Sequence, residues 1–340
     1  MNALGVPRSN QGTMLNAVDG LARRFKEELE RASSVLIGTH RNPDGDALGS
    51  ALAISHVLDQ MAIENEVICH NQPPPNLQFL PGIERVRQEP AEPKFDLGIV
   101  LDLDSFERLG TTEPFFRECP RLVLFDHHVP HEKPGDLRIV DEKAPATAVV
   151  LMRTLLALDI PIDAKVATCL LTGIVTDTGS FRFRNTTPES LALSARLLEL
   201  GADINLVSEE VFHNKPLSAA RLLGTLLEKM QLECGERLAW GALTLDDFEF
   251  CHAQDEDTEG FVNELLAIRT VQVAALIRQP RPSRVRVSLR SRGPIDVAEV
   301  AREFGGGGHR NAAGCSFDDS IDAVVETLVP RLRQCLASSS

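Results

Sequence analysis

The sequence lacks several features that would assign a chain of 340 residues to a common class. It has no apolar run near the roughly 20 residues that a membrane helix needs, and its first dozen residues lack the apolar core of a signal peptide. Its seven cysteines form no Cys-x-x-Cys pair, which indicates buried free thiols rather than a disulfide framework. These absences predict a cytoplasmic protein without a membrane partner.

Positive charge and large aromatic residues are also scarce. The net charge of −14 at pH 7 argues against binding of long nucleic acids, because such binding depends on neutralising many phosphates. The exception is the stretch from Leu265 to Ile295, which has seven arginines and no Asp, Glu or Lys, and which predicts a site for a small anionic ligand. With no tyrosine and one tryptophan, any base stacking must use Phe, His or Arg.

The length predicts two domains. Apolar strands alternate with helices from residue 34 to about residue 125, which predicts an α/β fold with a parallel, doubly wound sheet. The pattern is helical from 147 to about 231, and strand candidates return after residue 238. We therefore predict a disordered tail at 1–14, a catalytic α/β domain at 15–215, a helical linker at 216–235 and a smaller α/β domain at 236–337.

Four acidic and histidine clusters follow apolar segments that are predicted to be strands or helices. They are His40-x-x-x-Asp44-x-Asp46, Asp102-Leu-Asp104, Asp126-His127-His128 and Thr176-Asp177-Thr178-Gly179. The carboxyl ends of parallel strands converge on one edge of a sheet, where ligands bind. Carboxylates gathered there would repel each other unless a cation lay between them. The clusters therefore predict a pair of divalent metal ions.

The spacing alone leaves some choices open. An Asx turn with a helix N-cap would explain one of Asp44 and Asp46, but not both of them together with His40. Only one of Asp102 and Asp104 is needed to bridge two metals, and the period of 2 does not choose between them. Because adjacent histidines project in different directions, one of His127 and His128 would coordinate metal and the other would face the substrate.

The last cluster is the glycine run 305–308 followed by His309. Four glycines allow positive φ and a close backbone approach, so successive N–H groups could cradle an anion. The run lacks the Gly-Lys-Ser/Thr of a P-loop, so hydrolysis of nucleoside triphosphates is not implied. A flexible linker is the alternative interpretation, and the neighbouring arginine-rich strands argue against it.

Together these motifs resemble the DHH/DHHA1 phosphoesterases, from about residue 33 to residue 329. The motifs are His-x3-Asp-x-Asp, a strand-end Asp followed by Glu-Arg-Leu-Gly, Asp-His-His, Thr-Asp-Thr-Gly-Ser-Phe and Gly-Gly-Gly-Gly-His. Within that superfamily the chain looks most like the bacterial nanoRNases. The resemblance implies hydrolysis of RNA of about 2–5 nucleotides to nucleoside 5′-monophosphates, and of 3′-phosphoadenosine 5′-phosphate (pAp) to AMP and phosphate.

Position by position, the resemblance implies two divalent ions, preferably Mn²⁺ with Mg²⁺ and Co²⁺ as alternatives. One ion would be held by His40, Asp44 and Asp102. The other would be held by Asp46, Asp102, His127 and Asp177, with Asp102 rather than Asp104 as the bridge. His128 would contact the scissile phosphate and is expected to be catalytic with Asp102 and Asp126. In the second domain Arg290, Ser291, Gly307, Gly308 and His309 are expected to bind substrate.

Several rival functions share parts of this pattern. A linear or cyclic dinucleotide phosphodiesterase is the main alternative, although such proteins often carry membrane and sensor segments. A processive exonuclease would need a longer basic track, and a family II pyrophosphatase would lack the glycine run with His309. A non-catalytic nucleotide sensor is expected to have lost a ligand, and all six ligand positions are filled. The sequence leaves monomer and homodimer open.

Overall fold

The computed structural model describes residues 11–129 and 134–338. The chain divides into two units, residues 1–214 and 215–340, each with its own core. Of the tail that was predicted to be disordered, residues 1–10 lie outside the described residues, and residues 11–14 belong to the first helix. Among the described residues no helix is long and apolar enough to cross a membrane.

The first unit is built on a five-stranded sheet in which every pairing is parallel. Its strands are β1 (Ser34–Thr39), β2 (Glu64–Ile68), β3 (Leu97–Leu101), β4 (Leu122–Asp126) and β5 (Leu137–Val140). The order β2-β1-β3-β4-β5 reverses direction between β1 and β3, and such a switch point is where open sheets bind ligands, at the carboxyl ends of the strands. The predicted doubly wound parallel sheet is confirmed.

Helices cover both faces of this sheet. They are α1 (Gln11–Arg31), α2 (Gly45–Gln60), α3 (Glu113–Glu118), α4 (Thr147–Ala157), α5 (Ala164–Asp177), α6 (Pro188–Glu199) and α7 (Ile204–Ser208). Helix α2 is buried continuously from Gly45 to Leu58 because α5 packs closely against it. A Cβ at Gly49 would lie 2.4 Å from the carbonyl oxygen of Cys169, so this approach requires glycine. The packing places the start of α2 and the end of α5 at the same edge of the sheet.

The second unit is a smaller domain with a six-stranded mixed sheet. Its strands are β6 (Gln231–Glu233), β7 (Leu238–Leu243), β8 (Val273–Arg281), β9 (Arg284–Ser291), β10 (Gly307–His309) and β11 (Ala312–Phe317), in the order β10-β11-β9-β8-β7-β6. Its helices are α8 (Leu217–Lys229), α9 (Leu245–Cys251), α10 (Phe261–Leu266), α11 (Val297–Glu303) and α12 (Ile321–Ser338). The expected smaller α/β domain is confirmed.

Two segments of this unit bear on the predicted organisation. The predicted helical linker at 216–235 contains helix α8, whose Leu222 and Leu226 pack into a core of the second unit. The glycine run was expected to form an anion-cradling loop, but Gly307–His309 is an edge strand that pairs with β11. A Cβ at Gly306 would lie 2.1 Å from the carbonyl oxygen of Gly314, so one of these glycines serves close strand packing.

Candidate active site

The predicted ligand residues of the first unit meet at the carboxyl edge of its sheet. His40 follows β1, Asp102 follows β3, and Asp126 ends β4 directly before His127. Helix α2 contributes Asp44 and Asp46 at its start, and α5 contributes Asp177 as its last residue. Three overlapping groups have ligand atoms within 4.8 Å of one another: His40, Asp44 and Asp102; Asp102, His127 and His128; and Asp46, His127 and Asp177.

Asp102 lies at the centre of this cluster. One carboxylate oxygen, Oδ2, is 3.2 Å from His40 Nε2, and the other, Oδ1, is 3.5 Å from His127 Nε2 and accepts a 2.8 Å hydrogen bond from the Thr147 hydroxyl. Its backbone has a φ of +59°, in the left-handed region that Asp tolerates better than most residues. This conformation ends the extended backbone of β3 and allows the buried carboxylate to contact both His40 and His127.

Two histidines present the same ring nitrogen to the cluster. Nδ1 of His40 is 2.9 Å from the carbonyl oxygen of Arg41, and Nδ1 of His127 is 3.1 Å from that of Ala144. A carbonyl can only accept, so each Nδ1 carries a proton and each Nε2 faces the carboxylates. Metal-binding histidines are usually oriented by a backbone carbonyl or carboxylate in this way. The arrangement therefore fits the ligand roles that the sequence predicted.

The two aspartates at the start of α2 make different contacts. Asp44 is the N-cap of the helix, since its Oδ1 accepts from the backbone of Asp46 and Ala47, each at 3.0 Å. Its other oxygen, Oδ2, lies 4.0 Å from His40 Nε2. The cap and the ligand interpretations of Asp44 are thus compatible, because each uses a different oxygen.

Asp46 is fully buried and joins two helices. Its carboxylate accepts the backbone N–H groups of Thr147 and Ala148, at 2.5 and 2.9 Å, where α4 begins. The N-cap residue of α4, Ala146, has no side chain that could do this. The sequence analysis did not predict these contacts, nor the hydrogen bond from the Thr147 hydroxyl to Asp102. The one signal in the sequence was that α4 begins without a residue that could cap it, which indicates a partner from elsewhere in the chain.

In the Asp126-His127-His128 segment the two histidines have different hydrogen-bond partners, although their ring centroids are only 4.4 Å apart. Nε2 of His127 is 3.2 Å from Asp177 Oδ2, whereas Nδ1 of His128 is 2.8 Å from Asp126 Oδ1. Asp126 Oδ1 also accepts the backbone N–H of both histidines. Its Oδ2 is buried and has no hydrogen bond to any described residue. Asp126 therefore fixes the segment and orients the His128 ring.

The buried carboxylates of this cluster are not equally stabilised in their charged forms. Burial raises the pKa of Asp46 well above its usual range, and the nearby charges of Asp102 and Asp177 raise it further. Burial also raises the pKa of Asp177, to about 6. Burial opposes ionisation of Asp102 too, but the hydrogen bond from His40 and the neighbouring histidines lower its pKa. Carboxylates that repel each other inside a buried, imidazole-rich cluster fit divalent cations.

Asp104, the other candidate bridge, belongs to none of the three groups. Its Oδ1 lies 3.6 Å from a guanidinium nitrogen of Arg108, four residues along the chain. The structure thus brings Asp102 into the cluster and turns Asp104 toward an arginine. Spacing alone had left this choice open.

The predicted substrate residues of the second unit lie on its sheet. Arg290, on β9, is largely buried and donates to the carbonyl oxygen of Leu289 at 3.0 Å. Burial and the neighbouring charge of Arg278 lower the pKa of Arg290. Ser291 is buried, and its hydroxyl donates to the carbonyl oxygen of Ile295 and accepts from Asn311, so it is held within the domain. The exposed residues 307–309 form the edge strand β10.

Comparison with known proteins agrees with both units. Residues 34–174 match the DHH family N-terminal domain, and residues 250–338 match the DHHA1 domain. The bifunctional oligoribonuclease and PAP phosphatase NrnA of Thermus thermophilus is 33% identical over 92% of this chain and 95% of the relative. The chain belongs to the DHH/DHHA1 phosphoesterases.

Two further comparisons also cover most of this chain. The Bacillus subtilis protein of the same name is 29% identical over 89% of this chain and 98% of its own. The crystal structure of an exopolyphosphatase-related protein from Bacteroides fragilis superimposes with a TM-score of 0.86 at 28% identity, covering 94% of this chain and 96% of that one. The similarity therefore extends across both units of this family member.

Proposed function

We propose that this DHH/DHHA1 protein hydrolyses short RNA oligonucleotides to nucleoside 5′-monophosphates and pAp to AMP and phosphate. The observation that carries the proposal is the set of overlapping ligand groups that meet at Asp102 and His127. The names of the Thermus and Bacillus relatives support the choice of substrates. The low positive charge of the chain supports short substrates over long nucleic acids.

In this proposal His40, Asp44 and Asp102 hold one divalent ion, and Asp46, Asp102, His127 and Asp177 hold the other. The ligands are imidazole nitrogens and carboxylate oxygens, a mixture compatible with Mn²⁺. When bound, two such ions supply Lewis-acid polarisation of the phosphate and a water of lowered pKa for in-line attack. The protein supplies the fixed ligand geometry through the backbone contacts of His40, His127 and Asp46.

His128 is the residue that we propose to contact the scissile phosphate. Burial lowers its pKa, but the hydrogen bond to Asp126 and the charge of Asp102 outweigh burial and raise it. These contacts favour the protonated form of the ring more than in a free imidazole, and in that form both nitrogens donate. With Nδ1 directed to Asp126, Nε2 is the atom that would donate to a phosphate oxygen and stabilise its developing charge.

The test is an assay of the purified protein with Mn²⁺ on pAp, pGpG, a labelled five-mer and a twenty-four-mer. We expect hydrolysis of pAp and the five-mer, and a steep fall in turnover for the twenty-four-mer. Comparable rates on both RNAs would favour a general exonuclease, and activity confined to pGpG would favour a dinucleotide phosphodiesterase. Asp102→Asn is the control for contaminating nucleases.

We also propose a cytoplasmic location. Four cysteines are buried free thiols, namely Cys69, Cys169, Cys251 and Cys315. Burial raises the pKa of Cys69 to about 11, so this thiol stays protonated and unreactive. Buried free thiols are typical of proteins in a reducing compartment.

A further inference from the structure

The loop that follows Asp177 has an unusual backbone. Gly179, Ser180 and Phe181 have φ values of +57°, +57° and +63°, so three successive residues are left-handed and two of them are not glycine. Side chains disfavour this conformation, and consecutive cases are rare. Such conformations persist only where the surroundings enforce them, and they concentrate at functional sites.

Hydrogen bonds hold this turn against the end of α5. The N–H of Ser180 donates to the carbonyl oxygen of Val175 at 2.7 Å, and the N–H of Phe181 donates to the Thr178 hydroxyl at 3.1 Å. Further along, the Asn185 side chain donates to the carbonyl oxygens of Asp177 and Pro145, at 3.0 and 3.2 Å. The loop is therefore fixed directly beside the proposed metal ligand Asp177.

The turn presents the ring of Phe183 to solvent. The ring lies over Gly179, where a Cβ would be 2.4 Å from the ring carbon Cζ, and yet the residue remains 48% exposed. Within the described part of the chain no aromatic ring stacks on it. A phenylalanine of this exposure gains little from burial, so packing alone does not account for a strained backbone that holds it there.

Two arginines flank the ring. The Nε of Arg182 donates to the carbonyl oxygen of Gly179 at 2.7 Å, and its guanidinium lies 5.9 Å from the Phe212 ring centroid. Arg184 is exposed and makes no ion pair or hydrogen bond with the described residues. The segment thus combines an accessible aromatic face with an uncommitted positive charge, six and seven residues after Asp177.

We propose that Phe183 stacks on the nucleobase next to the scissile phosphate and that Arg184 contacts a phosphate of the same substrate. The proposal rests on the proposed function, since it requires a nucleotide at the metal centre. Aromatic faces stack on any base, so the contact favours nucleotides over simple phosphoesters without selecting a sequence. In a chain without tyrosine and with one tryptophan, Phe183 is an exposed aromatic residue of the first unit, six positions after the proposed ligand Asp177 and packed over Gly179 of the same turn.

The test measures binding rather than turnover. The probe is a dinucleotide that carries 2-aminopurine and a non-hydrolysable methylenephosphonate linkage, titrated into the full-length protein with Mg²⁺. Stacking quenches 2-aminopurine fluorescence, so wild type should quench it. Phe183→Ala should weaken binding about 5- to 150-fold and abolish the quench, whereas Phe183→Trp should restore both. Phe250→Ala, which removes an 82% exposed phenylalanine of the second unit, is the matched control and should behave as wild type.

An abasic version of the probe separates stacking from a structural effect. Wild type and Phe183→Ala should bind the abasic probe equally, because this probe offers no base on which Phe183 could stack. Equal losses on both probes, or unchanged binding of the 2-aminopurine probe by Phe183→Ala, would overturn the proposal. If wild type hydrolyses dinucleotides while Phe183→Ala binds normally, the inference alone fails. If Phe183→Ala loses binding but wild type hydrolyses no RNA, the proposed function alone fails.

Discussion

Asp102 occupies a position where a carboxylate and a left-handed backbone are needed together. Asp104, two residues further along the chain, has the same side chain but is paired with Arg108. The backbone leaves the extended conformation at Asp102, so the alternation of a strand no longer applies beyond it. This is why strand spacing could not choose between the two aspartates, whereas the position of the motif within a family pattern could.

The first prediction compares these two aspartates. Asp102→Asn keeps a residue that tolerates positive φ but removes the charge, so both metal ions should bind weakly and kcat should fall more than about 100-fold. Asp104→Asn should retain metal and lose little activity. Metal content by elemental analysis and rates on pAp check both variants. Equal effects of the two substitutions would mean that Asp102 is not the bridge.

The second prediction concerns pH. Burial lowers the pKa of His127, but its hydrogen bond to Asp177 and nearby carboxylates raise it to about 11, so the metal-free ring is protonated at neutral pH. The pKa of Asp177 is raised to about 6, so its carboxyl becomes increasingly protonated as the pH falls from 7 and is mostly protonated below pH 6. Metal binding must displace these protons, so affinity should rise with pH, about tenfold per unit for each proton released.

Calorimetry in two buffers of different ionisation enthalpy measures this proton release. We expect at least one proton to leave per protein molecule at pH 7. Below pH 6, protonation of Asp177 should weaken binding further. A metal affinity that is flat from pH 5 to pH 8 would contradict the assigned ligands.

At the scale of elements, the site depends on how α2, α4 and α5 meet. Helix α4 begins without a capping side chain of its own, and the buried carboxylate of Asp46 takes that role from another helix. Helix α5 approaches closely enough that Gly173 lies against the same carboxylate. If Asp46 is a metal ligand, as we propose, metal binding and helix packing share its side chain.

The third prediction tests this shared role with two glycine substitutions in helices. A Cβ at Gly173 would lie 2.5 Å from Asp46 Oδ1 and 2.8 Å from the Cβ of Ala148. Gly173→Ala should therefore cost about 1–3 kcal/mol of stability and weaken metal binding. At Gly224, in α8, a Cβ would meet nothing within 4 Å, so Gly224→Ala should stabilise its helix by about 0.5–1 kcal/mol. Thermal unfolding with and without metal measures both, and a harmless Gly173→Ala would contradict the packing.

The sequence predicted the elements with strong apolar patterns and missed those without them. Four of the five strands of the first sheet and helices α4 to α6 were predicted because their apolar side chains form continuous or periodic buried runs, whereas the short strand β5 was missed. The hairpin of β10 and β11 was missed because glycine and alanine, which dominate it, have little β-propensity. The contact of Asp46 with α4 could not be predicted either, since it joins residues about a hundred positions apart.

At the scale of the molecule, chemistry and charge are divided between the two units. All six proposed ligands precede residue 178, and the arginine-rich stretch lies entirely in the second unit. Asp255, which precedes that stretch in the chain, pairs with both Arg278 and Arg286, whereas the described residues give Arg290 no acidic partner. An anionic ligand would relieve the repulsion between Arg278 and Arg290 that lowers the pKa of Arg290.

The fourth prediction separates the roles of the units. Arg290→Ala and His309→Ala should leave metal binding intact and lower kcat/KM for pAp by roughly 10- to 150-fold, the range expected for a charge-assisted phosphate contact. Bis-p-nitrophenyl phosphate, which has no second phosphate, should be affected much less. Arg284→Ala, at the exposed turn of the same hairpin, is the control. Loss of metal, or equal losses on both substrates, would contradict this division.

The left-handed backbone of Asp102 also limits which amino acids can replace it during evolution. Glutamate keeps a carboxylate but not the short side chain that makes φ of +59° acceptable, while asparagine and glycine fit the backbone and lack the charge. None of these three amino acids combines a carboxylate with a side chain short enough for this backbone, so we expect each of the three substitutions at Asp102 to reduce function. Asp177, at the end of a regular helix, meets no such backbone restriction, so we expect Asp177→Glu to be tolerated better than Asp102→Glu.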